Sequence, residues 1–320
     1  MAEFRILVIR LSSMGDVIHA LPAAASLKHS FPHSSLTWIV RERWAPLLEN
    51  NPFVSRVIPV DRGPRGVLRV WKAARGEHFD LVVDFQGLIQ SALIAAAVDS
   101  QKKVGLHRSQ ARESLASLFY STAVLTREFH RVERNLELAS AAGAASLLRV
   151  FPLPEGRPEG VLPQGSFVLA CPFAGWGAKQ WPLEYFEEVA RGLDIPLVLN
   201  GPPGSAAALD GVRGAHPHVS GIAGLIHATR RASAVIGADS GPLHLAAALS
   251  KPGVAIYGPS DPAVHGPYGG SIQVLRVAGA ETSQKRRSRD ESMNAIAPSL
   301  VLSALERVRN RPAKSVSSPA

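Results

Sequence analysis

Three stretches of this chain hold side chains whose type and spacing suit chemistry. The first is Arg10-Leu11-Ser12-Ser13-Met14-Gly15-Asp16-Val17-Ile18-His19, directly after the apolar run Ile6–Ile9. Small residues and Gly15 allow a tight turn, and Asp16 falls at the N-terminal end of the helix that follows. Asp there often does no more than cap the helix. At the carboxyl end of a strand it can also face a cleft as a general base. His19, three residues on, shares its face, and a structural histidine is an equally good reading. The second stretch is Gly237-Ala238-Asp239-Ser240-Gly241-Pro242-Leu243-His244, after another apolar run and before an Ala/Leu-rich helix. Asp239 and Ser240 supply capping oxygens, Gly241 permits close approach, and a helix N-terminus favours anions such as a diphosphate. An ordinary capped strand–helix unit would read the same way. The third, Phe173-Ala174-Gly175-Trp176-Gly177-Ala178-Lys179-Gln180-Trp181-Pro182, presents Lys179 from a Gly-rich loop. A lysine suits phosphate as a point charge, although many such lysines are simply solvated.

Other patterns narrow the chemistry. The second stretch is not a Walker A loop, a dinucleotide fingerprint or a nucleophile elbow, because Asp239 stands where the elbow needs serine. There is no D-x-D and no Cys/His cluster of metal-ligand spacing, so no metal and no cofactor is expected. A departing diphosphate would then rely on helix N-terminal amides and a lysine. Arg62, Arg65, Arg69, Lys72 and Arg75 follow one another at spacings of 3, 4, 3 and 3 with no acid among them. On a helix they form one basic face, either a solvated surface or an anion site. Arg108 and Arg112 extend this character. Lys285-Arg286-Arg287-Arg289 lies in a stretch without helical pattern, and Tyr257-Gly258-Pro259-Ser260-Asp261-Pro262 forms a further loop after a strand.

These residues must be held by larger elements. The 320 residues, 46% hydrophobic and 19% charged, suit two domains with proper cores. Short apolar strands alternate with helical patterns, the signature of βαβ units and parallel sheets. Strands are expected at Ile6–Ile9, Leu36–Val40, Arg56–Val60, Leu81–Asp84 and Lys103–Gly105, with helices after Asp16, Arg65, Gly87, Gln110 and Glu133. The Pro/Gly-rich segment Phe151–Gly160 breaks the pattern and reads as a linker. Beyond it, strands are expected at Phe167–Cys171, Pro196–Leu199, Ala234–Gly237, Gly253–Tyr257 and Ile272–Val277. Helices are expected at about Leu183–Leu193, Ile222–Arg231, Ser240–Leu249 and Ile296–Arg309. The division is a Rossmann-like domain over 1–150, a linker over 151–165, a second Rossmann-like domain over 166–292, a C-terminal helix over 293–310 expected to pack back toward the N-terminal domain, and a disordered tail over 311–320. Two Rossmann-like halves point to a ligand in the cleft between them, at the strands' carboxyl ends.

Charge and cysteine content bound the partners. Net charge is +9. Residues 1–150 hold 19 Lys+Arg against 13 Asp+Glu, a net of +6, and the rest hold 16 against 13, a net of +3. The first half therefore suits an anionic partner. One cysteine, Cys171, allows no internal disulfide and suits a reducing compartment. The start reads as a first strand rather than a signal peptide, and the longest weakly polar run, Ser91–Val98, is far short of the roughly 20 residues of a membrane helix. A cytoplasmic protein with peripheral contact at a membrane is expected.

Taken together and in order, Ile9–Asp16, Lys179–Pro182, Asp239–His244 and Tyr257–Pro262 resemble the ADP-heptose:lipopolysaccharide heptosyltransferases. Asp84-Phe85-Gln86-Gly87-Leu88 and Ala111–Tyr120 look most like the heptosyltransferase I branch. The resemblance covers about Arg5 to Arg309. It implies a GT-B fold and an inverting transfer from ADP-L-glycero-D-manno-heptose to the first Kdo of Kdo2-lipid A, at the cytoplasmic face of the inner membrane. By position it makes Asp16 the general base and Lys179 the donor-binding lysine. Asp239 would hold heptose hydroxyls, with Ser240 and Gly241 at the phosphates and His244 close behind. Ser13, Arg112 and the basic face Arg62, Arg65, Arg69, Lys72 would meet the anionic acceptor. The chain departs from the family where an acidic residue for the adenosine ribose is usual. Gly201-Pro202-Pro203-Gly204 is followed by Ser205, and Asp210 arrives late; one of the two substitutes, or the contact is lost. The rivals are heptosyltransferase II, with another acceptor, and a GT-B relative that binds without transferring. A nucleic-acid-binding protein fits poorly: no binding module is present, and no nucleic acid partner is expected.

Overall fold

The computed structural model describes residues 3–61, 63–74, 76–277 and 292–310. Arg62, Arg75, the Lys285–Arg289 cluster and the expected tail 311–320 lie outside the described residues. The chain divides into two compact units, one of Met1–Arg157 with Ala263–His265, the other of Pro158–Pro262 with Gly266–Ala320. The boundary after Arg157 falls inside the segment 151–165.

The first unit is a six-stranded sheet of β1 (Phe4–Ile9), β2 (Ser34–Arg41), β3 (Arg56–Val60), β4 (Leu81–Asp84), β5 (Lys103–Leu106) and β6 (Thr122–Val124). The order is β3-β2-β1-β4-β5-β6, and every pairing is parallel. Helices α1 (Met14–Ser30), α2 (Pro64–Ala74), α3 (Ile89–Ala97) and α4 (Arg131–Ala142) join the strands. Parallel strands demand such crossovers, and a sheet covered on both faces reads as near-continuous apolar sequence. Ile6, Leu7, Val8 and Ile9 are accordingly all fully buried. The stretch after Gln110 is a 3₁₀ turn over Ser114–Phe119 rather than the expected helix. Gln110 is tied to Thr126 through its carbonyl and hydroxyl groups, and Tyr120 reaches back to the sheet.

The second unit repeats the plan with β7 (Val168–Cys171), β8 (Leu197–Gly201), β9 (Ala215–Val219), β10 (Ala234–Ala238), β11 (Gly253–Tyr257) and β12 (Ile272–Arg276). The order β12-β11-β10-β7-β8-β9 is again all parallel. Its helices are α5 (Leu183–Gly192), α6 (Ala206–Asp210), α7 (Ile222–Arg231) and α8 (Gly241–Ala248), then α10 (Pro298–Arg309), whereas the short α9 (Pro262–His265) belongs with the first unit from Ala263 on. In α10, Val301, Ala304, Leu305 and Val308 fall at helical spacing and are buried in the same apolar cluster as Val254 and Ile256. The apolar stripe of this helix is used up in the second unit's own core.

In both sheets the winding direction reverses between two adjacent strands, β1 and β4 in the first and β7 and β10 in the second. Loops leaving such a pair diverge to opposite sides and open a crevice at the strands' carboxyl ends. One glycine shows how tightly the first crevice is floored. A Cβ added at Gly105 of β5 would lie 2.2 Å from the Tyr120 ring, so the bare backbone lets Tyr120 lie across the sheet. Gly105→Ala should therefore destabilise the protein by about 1–3 kcal/mol, the usual cost of overpacking, read as a lower thermal midpoint. An unchanged midpoint would show that Tyr120 can move away freely.

Candidate active site

The first crevice is built around Asp16. The chain leaves β1 at Arg10, turns through Leu11–Ser13 and enters α1. Ser13 is the N-cap residue and Asp16 the third residue of the helix. One carboxylate oxygen of Asp16 accepts from the Ser13 backbone N–H and the Ser13 hydroxyl, both at 2.9 Å. The other faces the Arg10 guanidinium at 2.5 Å. Asp16 is thus tied into the cap and remains 19% exposed on its side chain, so capping and chemistry are compatible. Burial alone would raise its pKa. The charge of Arg10, the Ser13 N–H and the more distant Arg131 and His19 override this and hold it well below the usual carboxylate range. Arg131, at the start of α4, is pushed down to about 10 by burial, against the pull of Asp16, with Arg10, Arg134 and Arg112 as further cations nearby. His19 is buried, with its ring edge-on to His130 at 5.6 Å.

A buried scaffold at the end of β4 sets the turn. Gln86 accepts from the backbone N–H groups of Leu11 at 2.9 Å and Ser12 at 3.0 Å. Arg10 donates to the Phe85 carbonyl. Asp84 accepts from the Gln86 and Gly87 N–H groups at 2.7 and 3.3 Å, and from the Tyr120 hydroxyl at 2.7 Å. Burial raises the Asp84 pKa despite these donors, and burial beside Asp84 raises that of Tyr120. The motif Asp84–Gly87 and the segment ending at Tyr120 therefore serve one purpose, holding the loop that carries Asp16.

The second crevice lies between the loops after β7 and β10. Asp239 follows β10, Ser240 is the N-cap of α8, and Pro242 sits in the helix's first turn, where its missing N–H costs nothing. Lys179, at the end of a 3₁₀ turn over Gly177–Lys179, reaches one Asp239 oxygen at 2.5 Å. His244, one turn into α8, faces the other at 3.5 Å. Trp176 packs its ring 4.5 Å from the Lys179 ammonium, a cation–π contact. Burial pushes the Asp239 pKa up, but His244 and Lys179 together hold it well below the usual range. The Tyr257 hydroxyl, buried at the end of β11, feels the same charge and is raised. A fixed anion, a lysine and the N-terminus of a helix thus converge on one spot, which suits a ligand carrying both hydroxyls and phosphate. Cys171, at the end of β7, is buried and its thiol pushed up to about 12, so it offers no thiolate. Among the described residues no group of three or more His, Cys, Asp or Glu is placed to hold a metal ion.

Comparison with known proteins fits this arrangement. Residues 67–296 match the model of glycosyltransferase family 9, the heptosyltransferases. This chain belongs to that family. The lipopolysaccharide heptosyltransferase 1 of Pseudomonas aeruginosa is 34% identical over 303 residues, spanning 83% of this chain and 82% of that protein. Among solved structures, the Escherichia coli heptosyltransferase WaaC with ADP is 28% identical with a TM-score of 0.77, covering 95% of this chain and all of that one. The same enzyme with ADP-2-deoxy-2-fluoro heptose gives a TM-score of 0.76 at 28% identity, covering 95% and 99%. The family 9 chain is a glycosyltransferase of GT-B fold.

Within this family 9 enzyme, Lys179, Asp239, Ser240, Gly241 and His244 come together at the second crevice. Ser13 and Asp16 sit at the first, with Arg112 close enough to act on Arg131. Ser205 is the N-cap of α6 after β8, its hydroxyl donating to the Pro202 carbonyl at 2.7 Å, and Asp210 ends the same helix, exposed. Arg65, Arg69 and Lys72 are exposed on α2, with Arg69 paired to Asp61 at 3.1 Å. Arg10, Gln86, Tyr120 and Trp176 lie inside the sequence motifs without a role read from them, and Arg131 lies outside every motif. A charged residue ending a fully apolar strand was the one signal available for Arg10. The pairing at the second crevice has a measurable sign. A carboxylate whose folded pKa is depressed contributes stability that is full above its unfolded value, 3.8, and lost as pH falls toward the folded value. Lys179→Met removes part of that depression. Its stability deficit against wild type should be largest at neutral pH and narrow below about pH 4, measured by urea denaturation at each pH. A deficit that does not vary with pH would show that the ion pair contributes nothing.

Proposed function

We propose that this glycosyltransferase moves L-glycero-D-manno-heptose from ADP-heptose to the first Kdo of Kdo2-lipid A, with inversion and without a metal. The observation that carries the reading is Asp16, a carboxylate kept ionised among arginines at the mouth of a crevice. Similarity to lipopolysaccharide heptosyltransferase 1 proteins supports the reaction, and the relatives solved with ADP and a fluorinated ADP-heptose support the donor.

Asp16 takes the proton from the acceptor hydroxyl as that oxygen bonds the anomeric carbon. The bond from that carbon to the β-phosphate oxygen breaks, and the electron pair leaves with ADP. A single displacement of this kind inverts the anomeric centre. Because Arg10 and Arg131 depress its pKa, Asp16 is a weak base in the resting enzyme, and proton transfer must accompany attack rather than precede it. The same arginines, with Arg112 and Ser13, suit the carboxylate of a Kdo sugar. At the donor, Asp239 accepts from heptose hydroxyls. Lys179, the α8 amides, Ser240 and Gly241 stabilise the charge that grows on the diphosphate, and Ser205, or Asp210 at the end of the same helix, is the candidate for the ribose. The sequence holds no D-x-D motif of the kind that binds a diphosphate-bound metal, which supports a metal-free reaction. The lipid acceptor brings the enzyme to the cytoplasmic face of the inner membrane.

Purified protein incubated with ADP-heptose and Kdo2-lipid A should yield the mass of one added heptose. Transfer only onto an already heptosylated core would instead favour a heptosyltransferase II acceptor. Asp16→Asn should slow transfer by roughly 10²–10⁴, the scale of a lost general base. Near-normal turnover in the folded variant would leave Asp16 a helix-capping residue. Transfer should also survive exhaustive EDTA, and a loss restored by Mg²⁺ or Mn²⁺ would overturn the metal-free step.

A further inference from the structure

Helix α2 carries three distinct faces. Val70 and Ala74 are buried in the first unit's core. Arg65, Arg69 and Lys72 form an exposed basic stripe. Leu68 and Trp71, beside that stripe, do neither. They line a groove of about 580 Å³ together with Ile89, Leu93 and Ala97 of α3 and its neighbouring turn. Leu68, Trp71, Ile89 and Leu93 are between 37% and 50% exposed, although all four are large apolar side chains. The adjoining 3₁₀ turn leaves Leu115 and Leu118 exposed as well. Uncovered apolar side chains clustered in this way mark a surface that meets something apolar.

The charges beside the groove select the partner. Arg69 is partly neutralised by Asp61, whereas Arg65 and Lys72 form no ion pair among the described residues, so the charge beside the groove is net positive. A partner must be apolar where it enters the groove and anionic where it meets the rim. An amphipathic helix with a cationic flank and Leu/Trp on its apolar face has the composition of an interfacial element, and an indole is at home at headgroup depth. An anionic leaflet supplies the complementary charge.

We propose that the α2–α3 face docks this enzyme on an anionic lipid bilayer. Leu68, Trp71, Ile89 and Leu93 enter among the lipid chains, and Arg65 and Lys72 lie at the headgroups. The inference deepens the proposed reaction and rests on its lipid acceptor. It gives the basic stripe of α2 to the membrane rather than to the acceptor's sugars.

The test is flotation of the full-length protein with vesicles of phosphatidylcholine, with or without phosphatidylglycerol. Wild type should partition onto the anionic vesicles and not the neutral ones. L68S/L93S and R65S/K72S should each weaken that partition by roughly tenfold or more, and only the wild type's charge-dependent part should fall with salt. The four positions are exposed, and unchanged melting of both variants confirms their fold. A parallel transfer assay compares Kdo2-lipid A in anionic vesicles with a deacylated, soluble Kdo2 acceptor. L68S/L93S should lose activity on vesicles and keep it on the soluble acceptor. Wild type that ignores anionic vesicles, or L68S/L93S that binds them like wild type, would overturn the docking surface. Absence of transfer to either acceptor by wild type would instead overturn the proposed reaction and leave the vesicle result standing.

Discussion

Each half of this protein depends on one topological constraint, the reversal of winding between two adjacent parallel strands. Neighbouring loops at such a point must part, because their helices cross to opposite faces of the sheet. In the first unit the parted loops follow β1 and β4, and they carry Arg10–Asp16 and Asp84–Gly87. In the second they follow β7 and β10, and they carry Lys179 and Asp239. The candidate residues Ser13, Asp16, Lys179, Asp239, Ser240, Gly241 and His244, with the positioning Gln86, all hang from these four strand ends.

The two crevices then solve the same electrostatic problem differently. A buried carboxylate stays ionised only when partners offset the cost of losing water. Asp16 has Arg10 at 2.5 Å, and further cations surround it, so the site keeps a positive excess after the pair forms. That excess is available to an anionic sugar. Asp239 is balanced by Lys179 and His244, leaving the α8 amides as the free source of positive potential. Under the proposed reaction a diphosphate arriving there would draw Lys179 as well, and donor binding would then rearrange the resting ion pair.

Much of this was legible in the sequence because the signals were local. Period and length identified ten of the twelve strands among the described residues. Spacing alone placed Asp16 and Asp239 at strand-end turns. The two strands that escaped are edge strands with little to bury. β6 is three residues long and mostly exposed, and β9 carries Pro217, tolerated because an edge needs no second ladder of hydrogen bonds. The helix expected after Gln110 failed for a non-local reason, since Tyr120 is drawn to Asp84 across 36 residues. The roles of Arg10 and Arg131 escaped for the same reason. A sequence shows a carboxylate at a helix start, but only the packed fold shows that two arginines from separate elements converge on it. That convergence turns a capping residue into a candidate base.

The central claim is a division of labour, with the acceptor's base in the first unit and the donor's grip in the second. Calorimetric titration of ADP-heptose into wild type, Asp16→Asn and Asp239→Asn tests it directly. The account predicts that Asp16→Asn binds the donor with wild-type affinity, while Asp239→Asn loses about tenfold or more, roughly 1.4 kcal/mol per decade. Donor binding that collapses in Asp16→Asn and survives in Asp239→Asn would contradict it.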